Sequence, residues 1–134
     1  FLDNYTTEQL NFIPDGLSNN IIWNIGHTIA VQQALLYKLS GLPMQVSEAF
    51  FTRYRNGSKP EVNASSEEIE QMKKMLLDTR EKMKADFEKD AFQNYMEYTT
   101  SSGFTLKSIE DAIAFNNFHE GIHLGFLIKI KKLL

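Results

Sequence analysis

The stretch SNNIIWNIGHTIAVQQALLYKLSGLP, Ser18 to Pro43, decides the fold. Ile21, Ile22, Trp23, Ile25, Ile29, Val31, Ala34, Leu35, Leu36 and Leu39 fill a helical wheel so fully that little polar face is left. A helix of that kind is mostly buried, because no water-facing stripe remains to it. Ser18 or Asn19 offers a side-chain oxygen to the free N–H groups at its start, and Gly41 followed by Pro43 ends it. The predicted helix spans Ser18 to Ser40 and forms the centre of a helical domain.

Before this helix, Thr6 to Leu10 reads as a short capped turn closed by Pro14-Asp15-Gly16, and Phe1 to Tyr5 as the last turn of a helix. The chain opens on Phe1 without an initiator methionine, so the reading expects missing N-terminal sequence and a truncated first helix. Beyond it, Ser47 to Tyr54 predicts a shorter helix and Asn56 to Pro60 a loop. The capping box Ser65-x-x-Glu68 starts a second long helix reaching about Phe92. Ile69, Met72, Leu76, Met83 and Phe87 recur there at three- and four-residue spacing, while Glu70/Lys74 and Asp78/Lys82 pair on a solvated face. Tyr95 to Lys107 reads as a polar, irregular connection with a brief extended piece. Ser108-Ile-Glu-Asp111 then opens a last helix that runs to the C-terminus. The sum is one all-α domain over residues 1–134, an up-and-down four-helix bundle.

Composition narrows the function classes. A chain of 134 residues suffices for one sizeable core. A net charge of −3 gives no basic footprint for nucleic acid or an anionic membrane surface. No apolar run approaches the roughly 18 residues that a bilayer span needs. The absence of cysteine excludes disulfides, thiolate metal sites and a cysteine nucleophile, and leans towards a cytoplasmic setting.

Three histidines carry the chemistry: His27, His119 and His123. A lone helical histidine is most often a hydrogen-bonded packing residue. His119 and His123 stand at i and i+4, however, on the stripe of the last helix that also carries Ala112, Asn116, Phe126 and Ile130. Two imidazoles side by side in a core each need a polar partner, and a shared metal ion would serve both. The run HEGIH has the H-E-x-x-H form of helical zinc peptidases. Those enzymes take a third ligand downstream, and Leu124 to Leu134 contains no His, Asp or Glu. The peptidase reading fails for want of that ligand. Glu120 points roughly 80° from the line bisecting the two histidines, an offset like that of true H-E-x-x-H helices, so geometry alone does not dismiss it as a base; an exposed flank residue is the plainer reading and a catalytic base the weaker one. A third ligand must come from upstream, where His27 is the one imidazole left. Gly26 beside it removes bulk and permits close contact with a neighbouring element.

Asn20-Ile-Ile-Trp23-Asn-Ile-Gly26-His27, followed about ninety residues later by His119-x-x-x-His123, resembles the DinB/YfiT-like superfamily of metal-binding four-helix bundles. The piece from Phe50 to Pro60, ending Arg55-Asn-Gly57-Ser-Lys-Pro60, is similar to the loop after that family's second helix. The resemblance implies a divalent ion, commonly nickel or zinc, held by His27, His119 and His123. It also implies a hydrolase or a transferase that joins low-molecular-weight thiols to electrophiles, a small-molecule substrate, and a homodimer. Three neutral imidazoles leave open positions on the ion, as in catalytic rather than structural sites. Trp23 and Asn116 lie in helical phase with the histidines as pocket neighbours, with packing the plainer role for each. Tyr54 and Arg53 are placed near the pocket mouth. The competing reading is a non-enzymatic bundle that binds a small molecule or partner and keeps the metal site as a vestige.

Overall fold

The computed structural model describes residues 1–134 as five helices and one small hairpin. Helix α1 covers Thr7–Asn11, α2 Ile21–Leu36, α3 Glu48–Tyr54, α4 Ser66–Glu88 and α5 Ile109–Lys131. Strands β1 (Tyr98–Thr99) and β2 (Thr105–Leu106) pair antiparallel between α4 and α5. No helix is long and apolar enough to cross a membrane.

Local chemistry sets each boundary. Helix α2 starts later than the sequence reading expects because Asn20, rather than Ser18 or Asn19, is the cap: its Oδ1 accepts from the Trp23 N–H at 2.8 Å. Its amide nitrogen donates to the Asn11 carbonyl at 2.9 Å, which ties the cap to α1. At the far end the helix tightens into a 3-10 turn, Lys38–Ser40, and Gly41 stops it at φ +72°. Helix α4 has the expected capping box, with Ser65 and Glu68 each bonding the other's backbone. It ends at Glu88, short of Phe92, because Asp90 adopts a positive φ of 57° that no helix continues through.

One further expectation is corrected, and one is borne out in finer form. Phe1 to Tyr5 is a turn, closed by Asn4 N–H donating to the Phe1 carbonyl at 3.1 Å, not the end of a helix. The extended piece after α4 is a β-hairpin, turned at Gly103 (φ +85°) and laced by the hydroxyls of Thr99 and Thr105 at 3.1 Å.

Helix α2 lies at the centre, as its sequence requires: Ile21, Leu36, Asn24 and Gln33 are among the most deeply buried residues. Its main neighbour is α5, with α3 and α4 packed on other sides. One core cluster joins α2 to α1, α3 and α4 through Leu10, Ile21, Ile25, Tyr54, Ile69 and Met72. The second joins the end of α2 to the hairpin and the start of α5 through Leu36, Tyr37, Leu106 and Ile109. Helices α4 and α5 scarcely touch each other. Between them, over α2, runs an open groove of about 570 Å³ lined by Leu2, Ile25, Leu76, Leu124 and Leu127 among others.

Candidate metal centre

The α2–α5 packing brings His27, His119 and His123 together, although about ninety residues separate the first from the others. Their candidate ligand nitrogens all lie within 4.8 Å of one another. The Nε2 atoms of His119 and His123 are 3.2 Å apart, inside the roughly 3–4 Å expected for ligands sharing one ion at bonds near 2.1 Å. The set as a whole is wider than that expectation, so a shared ion requires a small rotation of the imidazoles towards it.

Each ring is oriented by a different means. His27 Nδ1 lies 2.8 Å from the Tyr54 carbonyl, which can only accept, so this nitrogen carries the proton and Nε2 keeps its lone pair. Trp23 stacks on the same ring at 4.6 Å and 11°, and its indole N–H donates to Ser58 Oγ at 3.1 Å. Trp23 thus orients His27 from behind. Gly26 makes room for the Tyr54 ring, since a Cβ there would stand 2.5 Å from Tyr54 Cδ1.

His123 Nδ1 lies 2.8 Å from Asn24 Oδ1. The amide orientation is fixed independently, because Asn24 Nδ2 donates to Asn19 Oδ1 at 3.1 Å and to the Asn20 carbonyl at 2.7 Å. Both amide hydrogens are engaged, so Oδ1 must face His123, and His123 must protonate on Nδ1. A metal-binding histidine is held in this way by its other nitrogen.

His119 differs: its Nδ1 is buried with no partner. Either neutral tautomer leaves something unsatisfied. A proton on Nδ1 has no acceptor and leaves the Nε2 lone pair facing that of His123. A proton on Nε2 relieves that repulsion but strands the buried Nδ1 lone pair. A cation between the Nε2 atoms resolves the repulsion, so the donor set fits a divalent ion. The rings are also in the form an ion needs. Burial first, then the neighbouring imidazoles' charge, takes the pKa of His119 down to about 4; burial first, then His27, does the same to His123. Burial lowers His27 too, against the opposing pull of the Tyr54 carbonyl. All three are neutral at pH 7.

The remaining predicted residues fall elsewhere. Asn116 is buried and donates to Glu120 Oε1 at 2.7 Å, leaving its own Oδ1 unpaired. Both line the α4–α5 groove, which reaches His123 but neither other histidine. Glu120 does not join the converging donors. Tyr54 and Arg53 do not line the groove that reaches His123; they line a separate recess with Phe50, Glu68 and Met72, where Arg53 pairs with Glu68 at 2.5 Å and donates to the Val62 carbonyl at 3.0 Å. Asn24 is the residue beside the histidines to which sequence reasoning gave no role. Its one signal was a polar side chain in the apolar first half of the helix, three residues before His27.

Compared with known families, residues 1–127 match the model of the DinB superfamily. No curated protein and no solved structure gave a match.

Proposed function

Because the chain belongs to the DinB superfamily, we propose that it is a metal-dependent enzyme acting on a small molecule, either a hydrolase or a low-molecular-weight-thiol S-transferase. His27, His119 and His123 are its ligands for zinc or nickel. The observation that carries this reading is the convergence of three neutral imidazoles with no fourth His, Cys or carboxylate beside them. Such a set leaves positions open, the arrangement of catalytic sites. When bound, the ion supplies acidification of a water or a thiol. The chain's part is positional: the Tyr54 carbonyl and Trp23 hold His27, and Asn24 holds His123 in the tautomer that presents Nε2. The cysteine-free composition supports a cytoplasmic setting.

The finer fold expectation belongs to the same proposal. The domain is an up-and-down four-helix bundle, with an open groove between α4 and α5. Phe1 and Leu2 line that groove.

Metal analysis after loading with zinc or nickel tests the site, with one divalent ion per chain expected and loss in His27→Ala. A loaded wild type that holds no ion would end the proposal. One observation favours binding without turnover: Glu120, the only acid near the ligands in sequence, is engaged by Asn116. Screening the loaded protein with esters, amides, and thiols plus electrophiles separates the readings, since metal-dependent turnover supports only the first.

A further inference from the structure

Helix α5 presents the three histidines between two flanks of different chemistry. At about 100° per residue, Phe126, Phe115, Ile122 and Phe118 lie roughly 20°, 40°, 60° and 100° to one side of His119. Glu120 and Leu124, which line the α4–α5 groove, lie about 100° and 140° to the other. The first flank is uncharged, since Glu120 is the single charged residue between Asp111 and Lys129. It is also open: Phe118 is 49% exposed, and Phe104, on the hairpin beside it, 52%.

The aromatic rings run on from the imidazoles without a gap. Phe115 stacks on His119, with centroids 6.3 Å apart and planes at 28°. Phe115, Phe118 and Phe104 then form a nearly equilateral set at 5.7–5.9 Å, each tilted 51–56° to the next. Phe104 is exposed and yet fixed in place. Its N–H donates to Thr100 Oγ1 at 3.1 Å, and its carbonyl accepts from the Thr100 N–H at 2.8 Å. Thr100 itself is buried, so the hairpin holds the Phe104 ring at the surface beside the other two.

Continuity with the histidines identifies what these rings receive. A molecule that occupies the open positions of an ion on His27, His119 and His123 has this flank as its apolar border. Ring faces and edges without a charge nearby fit a flat, neutral aromatic group, which gains from offset and tilted contacts of this kind.

We propose that Phe104, Phe115 and Phe118 form an aryl subsite of the metal centre, so that the substrate is a neutral molecule with an aromatic ring close to its reacting group. This rests on the metal-dependent reading of the three histidines. Benzohydroxamic acid carries a metal-binding group on a phenyl ring, and acetohydroxamic acid carries the same group without the ring. In calorimetric titration of the zinc-loaded protein, the first should bind about tenfold more tightly than the second. Phe104→Ala combined with Phe118→Ala should abolish that preference and leave the affinities for zinc and acetohydroxamic acid unchanged. Phe118→Leu, which keeps apolar bulk without a ring, should fall between. Equal affinities in the parent, or a preference that the double variant retains, overturns the subsite and leaves the metal centre standing. The zinc-free protein separates the two readings. Benzamide, and not acetamide, should shift the ring-proton NMR signals of Phe104, Phe115 and Phe118. Those shifts in a protein that takes up no zinc would end the metal reading and keep the aryl site. Their absence overturns the subsite, as it would if a second copy of the chain covered the rings.

Discussion

Replacing Gly26 with alanine sets two opposing effects against each other, and the structure says which wins. The new Cβ would stand 2.5 Å from Tyr54 Cδ1, 2.6 Å from Cγ and 2.7 Å from Cε1. Carbon atoms in contact sit about 3.5–4.0 Å apart, so the ring must retreat by about 1 Å. It has little room to do so. Tyr54 is 4% exposed, the Phe50 ring lies 4.7 Å away and the Arg53 guanidinium 5.4 Å. Overpacking of this kind costs about 1–3 kcal/mol. Alanine recovers about 0.5–1 kcal/mol of helix propensity. The net is a destabilisation of about 1–2 kcal/mol, or a melting temperature roughly 3–6 °C lower for a domain of this length. Because the same tyrosine's carbonyl holds His27, affinity for zinc or nickel should also fall, by about tenfold. Thermal unfolding of the metal-free protein and calorimetric titration with the ion give the two readouts. An alanine variant that melts higher and binds metal unchanged would refute the reasoning, since propensity would then have won and the tyrosine would not be pinned.

Asn24→Ala removes the acceptor that fixes His123, and metal affinity should drop by about 10–100-fold. Asn24→Asp keeps an acceptor oxygen and should recover most of it; equal loss in both variants would show that the amide serves packing rather than the imidazole. Asp86 reports on acid stability. The hydrogen bond from Lys82 first, and that from the Tyr37 hydroxyl, hold its carboxyl below the ordinary carboxylate value. A lowered folded-state pKa gives stability that is present above the unfolded value, near 4, and lost as pH falls through the folded one. The gap in urea midpoint between wild type and Asp86→Asn should be constant above about pH 5 and narrow below pH 4; a gap independent of pH would contradict it. Ser65→Ala removes the oxygen that caps α4 and should cost about 1 kcal/mol in the same titration.

The helices were legible because their signals are local. The Ser65–Glu68 capping box and the apolar wheel of Ile21 to Leu36 state their elements outright. The hairpin was harder to read, since two-residue strands show no alternation and depend on Gly103 and a threonine pair. The i,i+4 spacing of His119 and His123 named one half of the site, and elimination supplied His27. Gly26 was read correctly as a place of close approach, although the ring that approaches belongs to Tyr54, 28 residues on. Of the groups that orient the imidazoles, Trp23 was legible from its phase with His27, while the Tyr54 carbonyl and Asn24 were not. A backbone carbonyl has no side-chain signal, and Asn24 acquires its role only through the rotation of α2 against α5.

His119 is the histidine without a tether. His27 and His123 are each held by a bond at Nδ1, while His119 Nδ1 meets nothing. In the metal centre proposed above, His27 and His123 would be the two donors fixed at Nδ1 and His119 the one not fixed there, so His119 would do most of the adjusting to the ion received. Ions that differ in radius and preferred angle, such as tetrahedral zinc and higher-coordinate nickel, are then distinguished mainly by how far one side chain must turn. Selectivity between them is therefore expected to be shallow, and to steepen in a variant that places an acceptor beside His119 Nδ1. Competition titration of zinc against nickel, with and without that acceptor, measures the difference; an already steep preference in the parent chain would contradict it.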